Sequence, residues 1–209
     1  MRSRLCLIFA ALAFATGAFA QQDGGYQIGF AANLNIGDSV INLSNDGAIV
    51  GFVEGLPFCV NVYVFDPQEE EIACCGCAVT PDGLNSLSAK NDLISNTLTP
   101  VTPTSIVIKL ISTFLNPSAT AICNAAGPYG AGDVLPGMLA WGTTLEPGAS
   151  PGTYGPVNVP FINGTLNTTP VTGELDGLTS VCSFIQSNGT GYGMCNNFCG
   201  LGALSGAKK

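Results

Sequence analysis

The chain has 209 residues, of which six are basic and fourteen acidic, with no histidine and a formal net charge of −8. A surface so poor in cations repels phosphate backbones and anionic membranes, which sets nucleic-acid binding aside. The missing imidazole removes histidine-based triads, cysteine–histidine nucleophiles and the usual zinc, copper and haem sites.

At the start of the chain, Arg2 and Arg4 precede an apolar run over residues 5–14, and Ala18-Phe19-Ala20 precedes Gln21. A basic start, a short hydrophobic stretch and an A-x-A end describe a bacterial Sec-type signal peptide, residues 1–20, cut after Ala20. The run is too short to span a hydrocarbon layer of about 30 Å, and no other segment is long enough for a transmembrane helix. The expected mature chain, 21–209, is a single secreted domain large enough for a real core. It keeps four basic residues (Lys90, Lys109, Lys208, Lys209) against fourteen acidic ones, a net charge of about −10.

Tyr26, Ile28, Phe30, Ala32, Leu34 and Ile36 share one parity, so 26–36 reads as an amphipathic strand. It is the first strand of the chain's own sheet or, in the sharper reading, a donor strand completing a neighbouring subunit. Runs at 39–43 and 48–53 flank Asn45-Asp46-Gly47, a hairpin signal. Residues 59–65 alternate Val60, Val62 and Val64 with Cys59, Asn61, Tyr63 and Phe65, a strand covered on both faces. Asp66-Pro67 breaks it. Asp66, Glu69, Glu70 and Glu71 then form an acidic bend of hard oxygen ligands, a weak calcium site if they converge and otherwise a solvated turn.

Cys74, Cys75 and Cys77 follow. Cys6 leaves with the signal, so eight cysteines remain: Cys59, Cys74, Cys75, Cys77, Cys123, Cys182, Cys195 and Cys199. An even number in an exported chain implies up to four disulfides, whose pairing the sequence leaves open. A four-sulfur zinc site from Cys74, Cys77, Cys195 and Cys199 is the competing use. In an extended chain Cys74 and Cys75 face opposite ways, which requires different partners.

Further on, Leu84, Leu87, Asn91, Ile94 and Leu98 are spaced like a short helix, ended by Pro100 and Pro103. Residues 104–112 form a second strong strand. Residues 138–145 form another, carrying the single tryptophan, Trp141, as a core or sheet-edge anchor. Residues 147–160 read as an ordered loop. Thr172 can cap a helix with Glu174 and Asp176 in its first turn and an apolar stripe at Leu175, Leu178, Val181/Cys182 and Ile185. Asn188-Gly189 ends it. The sequons at Asn163, Asn167 and Asn188 read as turn residues. These elements predict a mainly β, antiparallel sandwich-like domain with one C-terminal amphipathic helix, braced by disulfides.

The CCGCAVTPDGL stretch from Cys74, together with CSFIQSNGTG from Cys182, resembles a family of exported, cysteine-rich bacterial proteins of acidobacterial type. The resemblance covers most of the mature chain. It implies a secreted single domain and supplies no catalytic residue. The expected function is a non-catalytic extracellular structural or adhesive protein, a fibre subunit if 26–36 is donated. The alternative is a monomeric carbohydrate- or surface-binding module presenting Tyr129, Trp141, Tyr154 or Tyr192 side by side. A carboxylate-based hydrolase would need two carboxylates roughly 5–10 Å apart, with Glu54, Glu146 or Glu174 facing the acidic bend. No cofactor other than calcium is expected, and the partner, if any, is a second copy.

Overall fold

A computed structural model describes residues 24–47, 56–115 and 123–195. The expected signal peptide (residues 1–20), residues 48–53, Glu54 and Cys199 lie outside them. The strands are β1 (Tyr26–Ala31), β2 (Val40–Asn45), β3 (Phe58–Phe65), β4 (Glu71–Val79), β5 (Leu84–Ser88), β6 (Ile106–Phe114), β7 (Met138–Pro147), β8 (Tyr154–Pro160) and β9 (Ile162–Asn163), followed by helix α1 (Glu174–Ser187). They form a five-stranded sheet ordered β4-β3-β6-β1-β9 and a four-stranded sheet ordered β5-β2-β7-β8. All strand pairs are antiparallel. The fold is the expected disulfide-braced β-sandwich with one helix.

Val60, Val62, Val64, Ile108 and Leu110 of the larger sheet meet Ile41, Leu43, Met138 and Ala140 of the smaller one in the main core. A second core lies on the opposite face of the larger sheet, where Leu175, Leu178, Cys182 and Ile185 of α1 cover Tyr26, Tyr63, Cys74 and Ile111. Strand β3 is therefore buried on both faces, which suits a run of β-formers interrupted only by Asn61. The outer edge of β4 is also closed. Leu98 N donates to Ile72 O and Cys74 N to Gly193 O, both at 2.8 Å.

Several local expectations change. The first strand stops at Ala31, and Leu34 and Ile36 belong to a turn. Its side toward the main core is Gln27, Gly29 and Ala31; Tyr26 and Ile28 of the bulky parity pack in the second core under the helix, and Phe30 is exposed. Gly29 is the reason. A Cβ there would sit 2.5 Å from the Phe161 ring, so the bare backbone leaves the space that the phenyl group fills. Gln27 is tolerated inside because its Nε2 donates to Met138 O at 2.6 Å. Strand β1 is paired with β6 over its whole length and with β9 at Gln27 and Ile28, inside its own sheet.

Gly47 adopts the left-handed backbone of a turn (φ 71°), and β2 pairs with β5 and β7; the second run of the expected hairpin, 48–53, lies outside the described residues. Residues 84–98 are not a regular helix. They form β5 and one π-helical turn, Ala89–Leu93, capped where Asn91 N donates to Ser88 Oγ at 2.8 Å. Asn85, facing inward, donates to Ala78 O at 2.8 Å and so fixes the strand. The expected loop at 147–160 contains β8. Its Pro156 and Pro160 are accommodated because β8 bonds to β7 alone, at the sheet edge. Helix α1 begins at Glu174 after Gly173, not after Thr172, and Val181 lies on its exposed side while Cys182 is buried.

If the Gly29 contact governs how Phe161 plugs the core, Gly29→Ala should cost about 1–3 kcal/mol by overpacking. Urea unfolding checks it; unchanged stability would mean that the ring moves aside freely.

Candidate functional site

Three disulfides organise the chemistry: Cys59–Cys123, Cys74–Cys182 and Cys75–Cys195. Cys77 is disulfide-bonded as well. Adjacent Cys74 and Cys75 do take different partners on opposite faces, one to the helix and the other to the C-terminal segment. The four-sulfur zinc reading is thereby overturned, since Cys74, Cys75, Cys77 and Cys195 hold no thiolate to offer a metal. Bridges closing loops of 64, 108 and 120 residues belong to an oxidising, non-cytoplasmic compartment. No helix among the described residues is long and apolar enough to cross a membrane.

The acidic bend does not act as one ligand set. Asp66 Oδ1 accepts from Gln68 N and Glu70 N at 2.9 and 3.0 Å, so this carboxylate caps its own turn. Glu69 and Glu70 are exposed. Glu71 leaves the bend and enters β4, only 8 % exposed. Phe65 pairs with Glu71 while Val64 pairs with Ala73, so one extra residue bulges between them. Simple alternation would put Glu71 on the side of Cys75; the bulge turns it toward Cys74. Its carboxyl lies within 4.8 Å of the Cys74 and Cys182 sulfurs, both already bonded to each other. Glu71 Oε1 has no hydrogen-bond partner among the described residues.

Around it runs a polar seam beneath α1. Glu174 Oε1 accepts from Tyr26 Oη at 2.7 Å and from Lys109 Nζ at 2.5 Å, and the ammonium lies 4.6 Å from the Phe65 ring centre. Tyr63 Oη donates to Ala125 O at 2.8 Å. Burial raises both phenols, helped at Tyr26 by Glu174 and at Tyr63 by Tyr129 and Glu71. Glu174, one of the carboxylates considered for hydrolysis, is thus the pin that fixes the helix to β1 and β6. An open cleft of about 640 Å³ lies beside α1, lined by Asn124, Asp176, Ser180, Ser183 and Gln186. Across it Gln186 Nε2 donates to Asn124 Oδ1 at 2.8 Å.

The four aromatic candidates are dispersed. Tyr129 packs near the helix core and donates to Asn124 O at 2.6 Å, and Tyr192 lies in the turn after α1. Trp141 and Tyr154 share the outer face of the smaller sheet. Trp141 is opposite Pro160, six residues along β8 from Tyr154, or about 20 Å. Trp141 is partly exposed and stands opposite Asn42 on β2. Two hydrogen bonds order this face: Ser86 Oγ to Asn42 Oδ1 at 2.7 Å, and Thr143 Oγ1 to Asn158 Oδ1 at 2.6 Å. Of the sequons, Asn167 and Asn188 do build turns, accepting from Thr169 N and Thr190 N, while Asn163 sits in β9.

Comparison with protein-family models, with curated proteins and with solved structures gave no match.

Glu71 carries a clear pH signature. Burial lifts its carboxyl from 4.5 to about 8, opposed only in part by Lys109. A carboxyl raised in the folded state favours folding fully below its unfolded pKa, and this contribution is lost as pH rises through about 8. Stability should therefore fall between pH 4.5 and 8, by at most about 1.4 kcal/mol per pH unit from this group. Glu71→Gln should flatten that slope. Thermal unfolding across the range checks it, and an equal slope in both proteins would refute it.

Proposed function

We propose that the protein is a secreted, non-catalytic adhesive module that works as a folded monomer and makes contact through the outer face of its four-stranded sheet. The observation that carries this reading is the state of that face. The larger sheet is covered by α1, but among the described residues no element lies over the outward side of β5-β2-β7-β8, where hydrogen-bonded side chains and Trp141 stand ordered. Ordered side chains lose little entropy on contact, which suits a surface made to bind. The disulfides support the same role, since they hold the sandwich, the helix and the C-terminal segment together outside the cell.

Four of the carboxylates have structural work elsewhere. Asp66 caps a turn, Asp38 accepts from Ser39 N and Lys90 N, Asp133 accepts from Gly130 N, and Glu174 pins the helix. Fibre growth by donation of residues 26–36 would first have to strip β1 from six register pairs with β6. The free sheet edges give little help to polymerisation either, because β8 carries two prolines, β9 is two residues long and β5 only five.

Adhesion of the oxidised mature protein to isolated cell envelopes and extracellular matrix tests the proposal. Saturable retention is expected, lost after reduction and alkylation. Retention no greater than that of the alkylated chain would overturn it, and filaments in negative stain would replace it with strand exchange.

A further inference from the structure

The adhesive face has a chemistry narrow enough to name its ligand. Strands β2, β5 and β8 contain no charged residue, and β7 has only Glu146, near its end. This is a local property, since the chain as a whole carries a net charge of −8. A partner recognised through charge would find no counter-ion here, and a polyanion would be repelled by the rest of the molecule. What the face offers instead is one indole surface and a set of amides and hydroxyls.

Their arrangement is specific. Asn42 lies directly across from Trp141 on one side, and Asn158 lies across from Thr143, one diagonal step from Trp141 on the other. Each carboxamide is oriented by a neighbouring hydroxyl, Ser86 for Asn42 and Thr143 for Asn158, and each uses its Oδ1 in doing so. The Nδ2 donors of both amides have no acceptor among the described residues and remain available to a ligand. Strand spacing and the two-residue offset put the two amides about 12 Å apart, on either side of β7. An aromatic ring between paired hydrogen-bonding groups is suited to a pyranose. The apolar C–H face of the sugar stacks on the ring, and its hydroxyls meet the amides. Tyr154, 40 % exposed and about 20 Å along the same strand pair, gives the face a second aromatic ring. Prolines at Pro156 and Pro160 close the β8 edge to an added peptide strand, which leaves the flat of the sheet as the contact.

We infer that the outer face of the four-stranded sheet binds an uncharged polysaccharide, with Trp141 as the stacking platform, Asn42 and Asn158 as flanking donors and Tyr154 as a distal platform. This rests on the adhesive reading and specifies its ligand. A chain spanning both rings should bind better than a disaccharide, because two platforms on one rigid face act together.

Affinity electrophoresis and calorimetry of the oxidised mature protein test it, with hydroxyethylcellulose, xyloglucan, mannan and dextran as neutral probes and alginate as the acidic one. At least one neutral polymer should retard the protein, and alginate should not. Trp141→Ala should weaken binding roughly tenfold or more. Asn158→Ala, an exposed change that leaves the core untouched, should weaken it by a smaller factor, and Tyr192→Ala, away from the face, should have no effect. Circular dichroism and the count of free thiols confirm that each variant is folded.

Equal binding by Trp141→Ala and Asn158→Ala, or equal retardation by alginate, would overturn the assignment. Concentration-dependent self-association lost in Trp141→Ala would overturn it as well, making the face a contact between copies. Envelope adhesion that persists without affinity for any neutral polymer would reject the ligand and keep the adhesive function. Loss of adhesion altogether would reject the function itself.

Discussion

Strand β4 is the element on which the rest depends, because two consecutive cysteines in it fasten opposite sides of the molecule. In an extended strand, neighbouring side chains leave from opposite faces. Cys74 therefore reaches α1 through Cys182, while Cys75 reaches the C-terminal segment through Cys195 from the main-core side. Neither the helix nor the last described turn could drift without straining the centre of the sheet. In the chain-entropy picture one bridge over a loop of about 100 residues stabilises by nearly 5 kcal/mol. The two loops here overlap almost entirely, so the second adds much less than the first. Its effect is to fix geometry rather than to double the stability.

The helix–sheet seam follows from that fixed geometry. With α1 tethered, Glu174 can rely on Lys109 and Tyr26 being within reach, and a paired charge at a partly covered site is tolerable. Glu71 is less well served. The β-bulge turns it into the same seam with one oxygen unpartnered, where holding a proton costs less than holding a charge. The seam is consequently a structural joint that favours mildly acidic surroundings, and the surface proposed for contact lies on the other sheet.

A proposed binding surface far from the charged joint has a physical logic. Acidic residues gather at turns and strand ends, where Asp66, Asp38 and Asp133 satisfy backbone N–H groups. The outward side of the smaller sheet is left neutral. A rigid face without charge depends on shape, stacking and hydrogen bonds, interactions that are weak singly and add up along an extended ligand.

The amino-acid sequence by itself determined compartment chemistry and fold class. Eight cysteines from Cys59 onward, alternating strands such as 59–65 and 104–112, and the Leu175–Leu178–Cys182–Ile185 stripe sufficed, because disulfide arithmetic and side-chain periodicity are local properties of the chain. It also required Cys74 and Cys75 to find separate partners. It could not say which partners, since that depends on where α1 and the C-terminal segment come to rest. Nor could it tell that Gln27 and Gly29, not their bulkier neighbours, face the main core between the sheets, because the deciding contact is Phe161, more than a hundred residues away. The bulge that buries Glu71 and the pairing that sets Asn42 and Asn158 beside Trp141 are likewise long-range facts. Only tertiary structure decided them, because strand register is settled between segments that the chain keeps far apart.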